Sequence, residues 1–81
     1  EENAWSIYPN PVKDELTMIT NHPFSGKITL TDVAGKQIKL WDFNPSSQEI
    51  KLDFHEIVAG IYLLSVLDDA GNFKTYQLIK K

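Results

Sequence analysis

The apolar side chains of this chain recur at every second position, in short runs cut by glycine-bearing turns, and that period decides the fold class. Alternation of apolar and polar residues belongs to half-buried strands, because successive side chains on a strand point to opposite faces. Leu16 and Met18 share a face in one run, Ile28 and Leu30 in the next, and Ile38 and Leu40 in a third. Ile50, Leu52 and Phe54 point one way while Lys51 and Asp53 point the other. Tyr62, Leu64 and Val66 follow, but Ile61, Leu63 and Leu67 make the opposite face apolar too. A strand apolar on both sides is central or covered by a neighbour. Thr75-Tyr76-Gln77-Leu78 returns to alternation.

Turn chemistry separates the runs. Ser25-Gly26, Ala34-Gly35-Lys36 and Asp69-Ala70-Gly71-Asn72 read as hairpin turns in which glycine supplies the positive φ. Asn44-Pro45-Ser46-Ser47 reads as a polar loop. Phe54-His55-Glu56-Ile57 leaves room for one 3₁₀ turn, and nothing in the chain repeats. Six or seven short strands at a spacing of about 8–12 residues predict an all-β protein, an immunoglobulin-like antiparallel β-sandwich of about seven short strands. One local conflict stands out. Trp41 and Phe43 fall on the opposite parity from Ile38 and Leu40, so either a bulge re-aims that strand near Trp41 or two aromatics face outward. A bulge, with Trp41 covering an edge of the sandwich, is the simpler reading.

The chain has 81 residues, which make one domain with no room for a second core. Residues 1–5 read as the end of a linker arriving from a larger upstream protein, and residues 6–81 as the domain. Net charge is −3 and there is no arginine, so the usual bidentate reader of phosphates and bases is missing and nucleic-acid binding is not expected. The apolar stretch from Ile61 to Leu67 is far short of the roughly 20 residues that cross a bilayer as a helix. The opening Glu1-Glu2-Asn3 is unlike the basic start of a signal peptide, so an exported form needs its signal upstream of these residues.

A reaction centre is not legible. There is no cysteine, and His22 and His55 stand in separate loops with no second ligand at metal-binding spacing, so neither a metal nor a cofactor is expected. Ser46-Ser47 with Asp53 and His55 lacks the strand–turn–helix context of a nucleophile. Asp68-Asp69 lies in a turn, where aspartates bond their own backbone, and no loop has calcium-binding spacing. Trp5, Trp41, Tyr8, Tyr62 and Tyr76 would suit a sugar-stacking platform if exposed, although packing within the sandwich is the plainer use for them. The chain reads as non-enzymatic.

Tyr8-Pro9-Asn10-Pro11-Val12 with Leu16, Gly35 in Asp32-Val33-Ala34-Gly35, then Leu52-Asp53, Gly60-Ile61-Tyr62 and Leu78-Ile79-Lys80-Lys81 together resemble the type A C-terminal sorting domain of the type IX secretion system. The likeness covers residues 7–81 in order and spacing. It implies an immunoglobulin-like sandwich that serves as an address on a larger cargo protein. The cargo would cross the periplasm, pass the outer-membrane translocon, and reach the outer-membrane surface or the medium. A sortase-like peptidase would remove the domain, at or before the segment Glu1 to Trp5. The recognition residues implied are Pro9, Asn10, Pro11, Leu16, Gly35, Gly60, Tyr62, Leu78, Lys80 and Lys81. His55-Glu56 and the bulky Trp41 depart from the usual pattern at positions outside these motifs. On physical grounds, Pro9 and Pro11 favour an extended entry and Leu16 anchors the first buried face. Gly60 would permit a close approach, and Tyr62 would bury its ring and leave its hydroxyl to a partner. The last strand would be captured at its end or by edge pairing, and an uncovered edge would allow an edge-strand dimer. The competing reading is a carbohydrate-binding or adhesive module, marked by an exposed tryptophan pair.

Overall fold

The computed structural model describes residues 5–43 and 48–81; the expected loop at 44–47 and the linker residues 1–4 lie outside them. Seven strands form, with no helix among the described residues: β1 Trp5–Tyr8, β2 Glu15–Thr20, β3 Gly26–Asp32, β4 Gln37–Phe43, β5 Glu49–Asp53, β6 Gly60–Asp68 and β7 Phe73–Lys80. They make a three-stranded sheet in the order β1-β2-β5 and a four-stranded sheet in the order β4-β3-β6-β7, with every ladder antiparallel. The chain changes sheet after β2, after β4 and after β5, which is how an immunoglobulin-like sandwich is wound.

Alternation places the core as expected. Leu16, Met18, Ile50 and Leu52 face inward from one sheet, and Ile28, Leu30, Tyr62, Leu64, Val66 and Leu78 from the other. Val12, Phe24, Phe54 and Ile57, all from connecting segments, close the ends. The anticipated single turn after β5 is present, with the Ile57 amide donating to the Phe54 carbonyl at 3.0 Å.

The parity conflict in β4 is not resolved by a bulge at Trp41: the register shift lies earlier, and alternation runs unbroken from Ile38 to Phe43. Leu30 faces Lys39 while Thr31 faces Gln37, leaving Ile38 as the extra residue. The inward set is inverted: Ile38 and Leu40, expected inside, are 38% and 45% exposed. Trp41 turns in and stacks on Phe54, with centroids 5.7 Å apart and rings inclined by 23°. Phe43 meets Phe24 edge-on at 6.1 Å. Burying two aromatic rings outweighs burying two aliphatic side chains, because the rings remove more apolar area from water.

Two further expectations are corrected. Ser25-Gly26 is no hairpin turn, since Gly26 opens β3 at the point where the chain changes sheet. Glycine is needed there for proximity: a Cβ would lie 2.6 Å from the Asp68 Cα and overlap the Leu67 carbonyl oxygen. Trp5, assigned to the linker, is instead the first residue of β1, paired with Thr20 and packed edge-on against Phe24 at 6.1 Å. Its ring has a buried partner in Phe24.

The β3–β4 and β6–β7 hairpins share one design: Asp32-Val33-Ala34-Gly35-Lys36 and Asp68-Asp69-Ala70-Gly71-Asn72. In each, one carboxylate oxygen of the first aspartate accepts two backbone amides, from Ala34 and Lys36 in one case and from Ala70 and Asn72 in the other, at 2.8 to 3.0 Å. The fourth residue is glycine with φ of +90° at Gly35 and +94° at Gly71. A Cβ is disfavoured in that conformation.

Candidate functional site

The segment joining β1 to β2 carries two prolines around one asparagine. Proline has no backbone amide, so Pro9 and Pro11 cannot extend a ladder as donors. Both preceding peptide bonds, Tyr8-Pro9 and Asn10-Pro11, are cis. The segment leaves β2's sheet and lies along the outer edge of β7 in the other one. There Val12 pairs in parallel with Lys80. Its amide donates to the Ile79 carbonyl at 2.7 Å, and its carbonyl accepts from the Lys81 amide at 2.8 Å.

Asn10 carries the pairing one step further. Its Nδ2 donates to the Gln77 carbonyl at 3.1 Å, and its Oδ1 accepts from the Ile79 amide at 3.1 Å. A residue in a parallel ladder makes this same pair of bonds with its backbone. The asparagine side chain therefore acts as a spare peptide group where the prolines have removed the real ones. Two motifs some 67 and 69 positions apart are thus one continuous hydrogen-bonded unit.

The other implicated residues support that unit. Gly60 pairs with Lys80 and Tyr62 with Leu78, so the glycine–aromatic motif lies beside the terminal strand on its inner edge. Leu78 is 1% exposed and Leu16 is wholly buried. The Tyr62 ring is buried, and its hydroxyl donates to the Val58 carbonyl at 2.6 Å. This is the tyrosine corner of immunoglobulin-like domains, which fastens the loop before the strand. The hydroxyl expected at a partner's surface is thus used internally. At Gly60 a Cβ would stand 3.7 Å from the Tyr62 ring, an ordinary contact, so the close approach expected there is found at Gly26 instead. Gly35 occupies the β3–β4 turn, at the same end of the sandwich because Asp32 pairs with Tyr62. All ten residues therefore gather at or near one pole, with Pro9, Asn10, Pro11 and Lys81 exposed there.

Lys80 and Lys81, adjacent in sequence, have different fates. Alternation turns Lys80 toward the sandwich, leaving it 8% exposed, with its ammonium donating to the Lys81 carbonyl oxygen at 2.9 Å. A lysine buries its long aliphatic stem readily when its ammonium finds an oxygen. Lys81 faces solvent. Val12 is the participant that sequence reasoning undervalued. Its apolar side chain beside two prolines was the available signal, and it is completely buried.

His22 and His55 are exposed in separate connections, and no group of three metal-ligating side chains forms among the described residues. Trp5 and Trp41 are half-buried against the core, engaged with Phe24 and Phe54, and neither stands as an exposed sugar platform. A cleft of about 260 Å³ lies at the opposite pole, between the β2–β3 connection and the Asp68–Ala70 turn.

In comparisons with known proteins, no curated protein matches the chain. Among solved structures it is similar to the crystal structure of CopC from Methylosinus trichosporium OB3b, at 14% identity and a TM-score of 0.55, over 95% of this chain and 91% of that one. At that identity the likeness concerns the fold alone. The family described as the secretion system C-terminal sorting domain matches over residues 6–81. The chain therefore belongs to the C-terminal sorting domains of the type IX secretion system.

Proposed function

We propose that this domain carries an attached cargo from the periplasm through the outer-membrane translocon, and that the surface read there is the pole where Pro9, Asn10 and Pro11 are fastened to the strand end of Leu78, Lys80 and Lys81. Membership of the family makes it a secretion sorting signal, recognised by the type IX machinery and attached to a cargo bound for the cell surface or the medium. The family is one of non-catalytic signals. The observation that carries the finer reading is the Asn10 carboxamide bonded to both Gln77 and Ile79. It makes one surface from two sequence motifs that neither end displays alone. Leu16, Gly35, Gly60 and Tyr62 act by holding this surface in place.

A sortase-like peptidase then separates domain from cargo. Proteases need several residues of extended chain. Trp5 is tied into β1, which points to cleavage ahead of it rather than within the sandwich.

The test is a fusion of a Sec signal and a fluorescent reporter ahead of Glu1, expressed in a host with this secretion system. The unaltered fusion should reach the surface or the medium. Adding five or so residues after Lys81, or replacing Asn10→Ala, should hold the reporter in the periplasm while the domain stays folded by circular dichroism. Unchanged export of both variants would remove this pole as the recognised surface.

A further inference from the structure

The geometry points to a second contact with the export apparatus: we propose that the outer face of the four-stranded sheet docks against an uncharged, apolar surface of the secretion machinery. The proposal rests on the export reading above and concerns a different surface from the terminal pole.

Apolar exposure on this molecule is uneven. Nine large hydrophobic side chains are exposed among the described residues, and six of them, Ile38, Leu40, Ile61, Leu67, Phe73 and Ile79, lie on this one face. Ile61 sits directly opposite Ile79, and Leu67 opposite Phe73. The polar strand positions between them are Thr29, Thr31, Ser65, Thr75 and Gln77, with Gln37 at the edge, all uncharged. Among the described residues the charged strand positions on the face are Lys27 and Asp42, which neutralise one another at 3.3 Å in one corner. The outer face of the other sheet is built differently. Glu15, Glu49, Lys51 and Asp53 stand on it, and Lys51 pairs with Glu49 at 3.4 Å and with Glu15 at 3.9 Å.

An antiparallel sheet normally presents polar residues to water on its open face, and large exposed apolar patches mark interaction surfaces. The near absence of charge says what kind of partner fits. A charged partner would surrender hydration and find no counter-charge, whereas an apolar one would lose little. Size then separates a partner from a second copy. Four strands at sheet spacing, each some seven residues long, give a face of about 450 Å². A stable dimer buries about 800 Å² on each side, so this face suits a contact that is made and released. Transient contact is what a passenger on an export route requires.

The test uses the reporter fusion with Ile61→Thr and Leu67→Thr together, changes that keep strand propensity and remove outward-facing apolar groups. Glu49→Thr with Lys51→Thr, on the opposite face, is the control. The expected result is a fall in surface reporter of about tenfold for the first pair, typical of losing an interface anchor. The melting temperature should be unchanged, and the control pair should export normally. If the first pair melts lower, Phe73→Asp carries the same test, because Phe73 is 60% exposed at the start of β7. Normal export of the face variants would overturn the proposal while leaving the sorting role intact. Periplasmic retention of the unaltered fusion would instead remove the export reading, and this inference with it. A purified unaltered fusion that sediments as a dimer, and as a monomer once the face is changed, would assign the face to a second copy and likewise overturn the proposal.

Discussion

At the scale of single residues, three side chains show how position in the sandwich sets chemistry. Asn10 is exposed, yet both ends of its amide are committed to backbone. No other side chain of its size carries a donor and an acceptor in the geometry of a peptide. Tyr62 and Tyr76 both face inward from neighbouring strands, but only the Tyr62 hydroxyl finds an acceptor. The Tyr76 hydroxyl is buried and has no partner among the described residues. Burial pushes its pKa above the ordinary tyrosine value of 10.0. An unpaired buried hydroxyl costs stability, so Tyr76→Phe should stabilise the domain by about 1 kcal/mol, read from the denaturant midpoint at neutral pH. The sign of the pH dependence follows from the raised pKa. Well below pH 10 the hydroxyl is protonated in folded and unfolded chains alike, and it contributes no slope. Above that the unfolded chain releases its proton first, so the Tyr76 contribution falls as pH rises toward the folded value. Tyr76→Phe should therefore lose stability less steeply than the unaltered domain in alkaline buffers.

At the scale of elements, the terminal strand is held from both sides. Along β7, residues 74, 76, 78 and 80 direct their backbone groups toward β6, while Gln77, Ile79 and Lys81 bond the segment from Asn10 to Val12. Asn10→Ala should lower stability by about 1 kcal/mol. It should also speed hydrogen exchange at the Ile79 amide without changing that of Leu78, a contrast that NMR reads residue by residue. An unmoved Ile79 rate would mean that Val12 alone holds the edge. The β7 edge left open for pairing with a second chain is confined to its first half, near Phe73 and Thr75. How much of this was legible follows the range of the interactions. Strand existence, the inward sets of β2, β3, β5, β6 and β7, and the β3–β4 turn all come from neighbours two to five positions apart, and the sequence displays them. The β4 register depended on whether aromatic or aliphatic residues won the inner face, a contest settled by Phe24 and Phe54 from distant connections. Gly26 looked like a turn glycine because its reason, the backbone of Leu67 and Asp68, lies some forty residues ahead. The motifs at the two ends were visible as separate strings, but their union was not, since no local pattern announces that an asparagine amide will replace a peptide.

At the scale of the whole molecule, the sandwich is small and closes late. Single domains of this kind are stable by only about 5–15 kcal/mol, and a small one lies toward the lower end. Removing a buried leucine alone costs about 2–5 kcal/mol. Ending the chain at Gln77 would delete Leu78 together with every hydrogen-bond partner of Val12. The truncated domain should lose its cooperative thermal transition, and a sharp melt near that of the full chain would show that the terminal strand is ornamental. The bond between Asn10 and Ile79 joins residues that are made far apart in time. A ribosome makes a protein from its beginning to its end, so the first half of this surface exists long before the second. An interrupted or clipped polypeptide has Asn10 with nothing to hold. A receptor that read the two segments together would therefore engage only chains in which both have been made and joined.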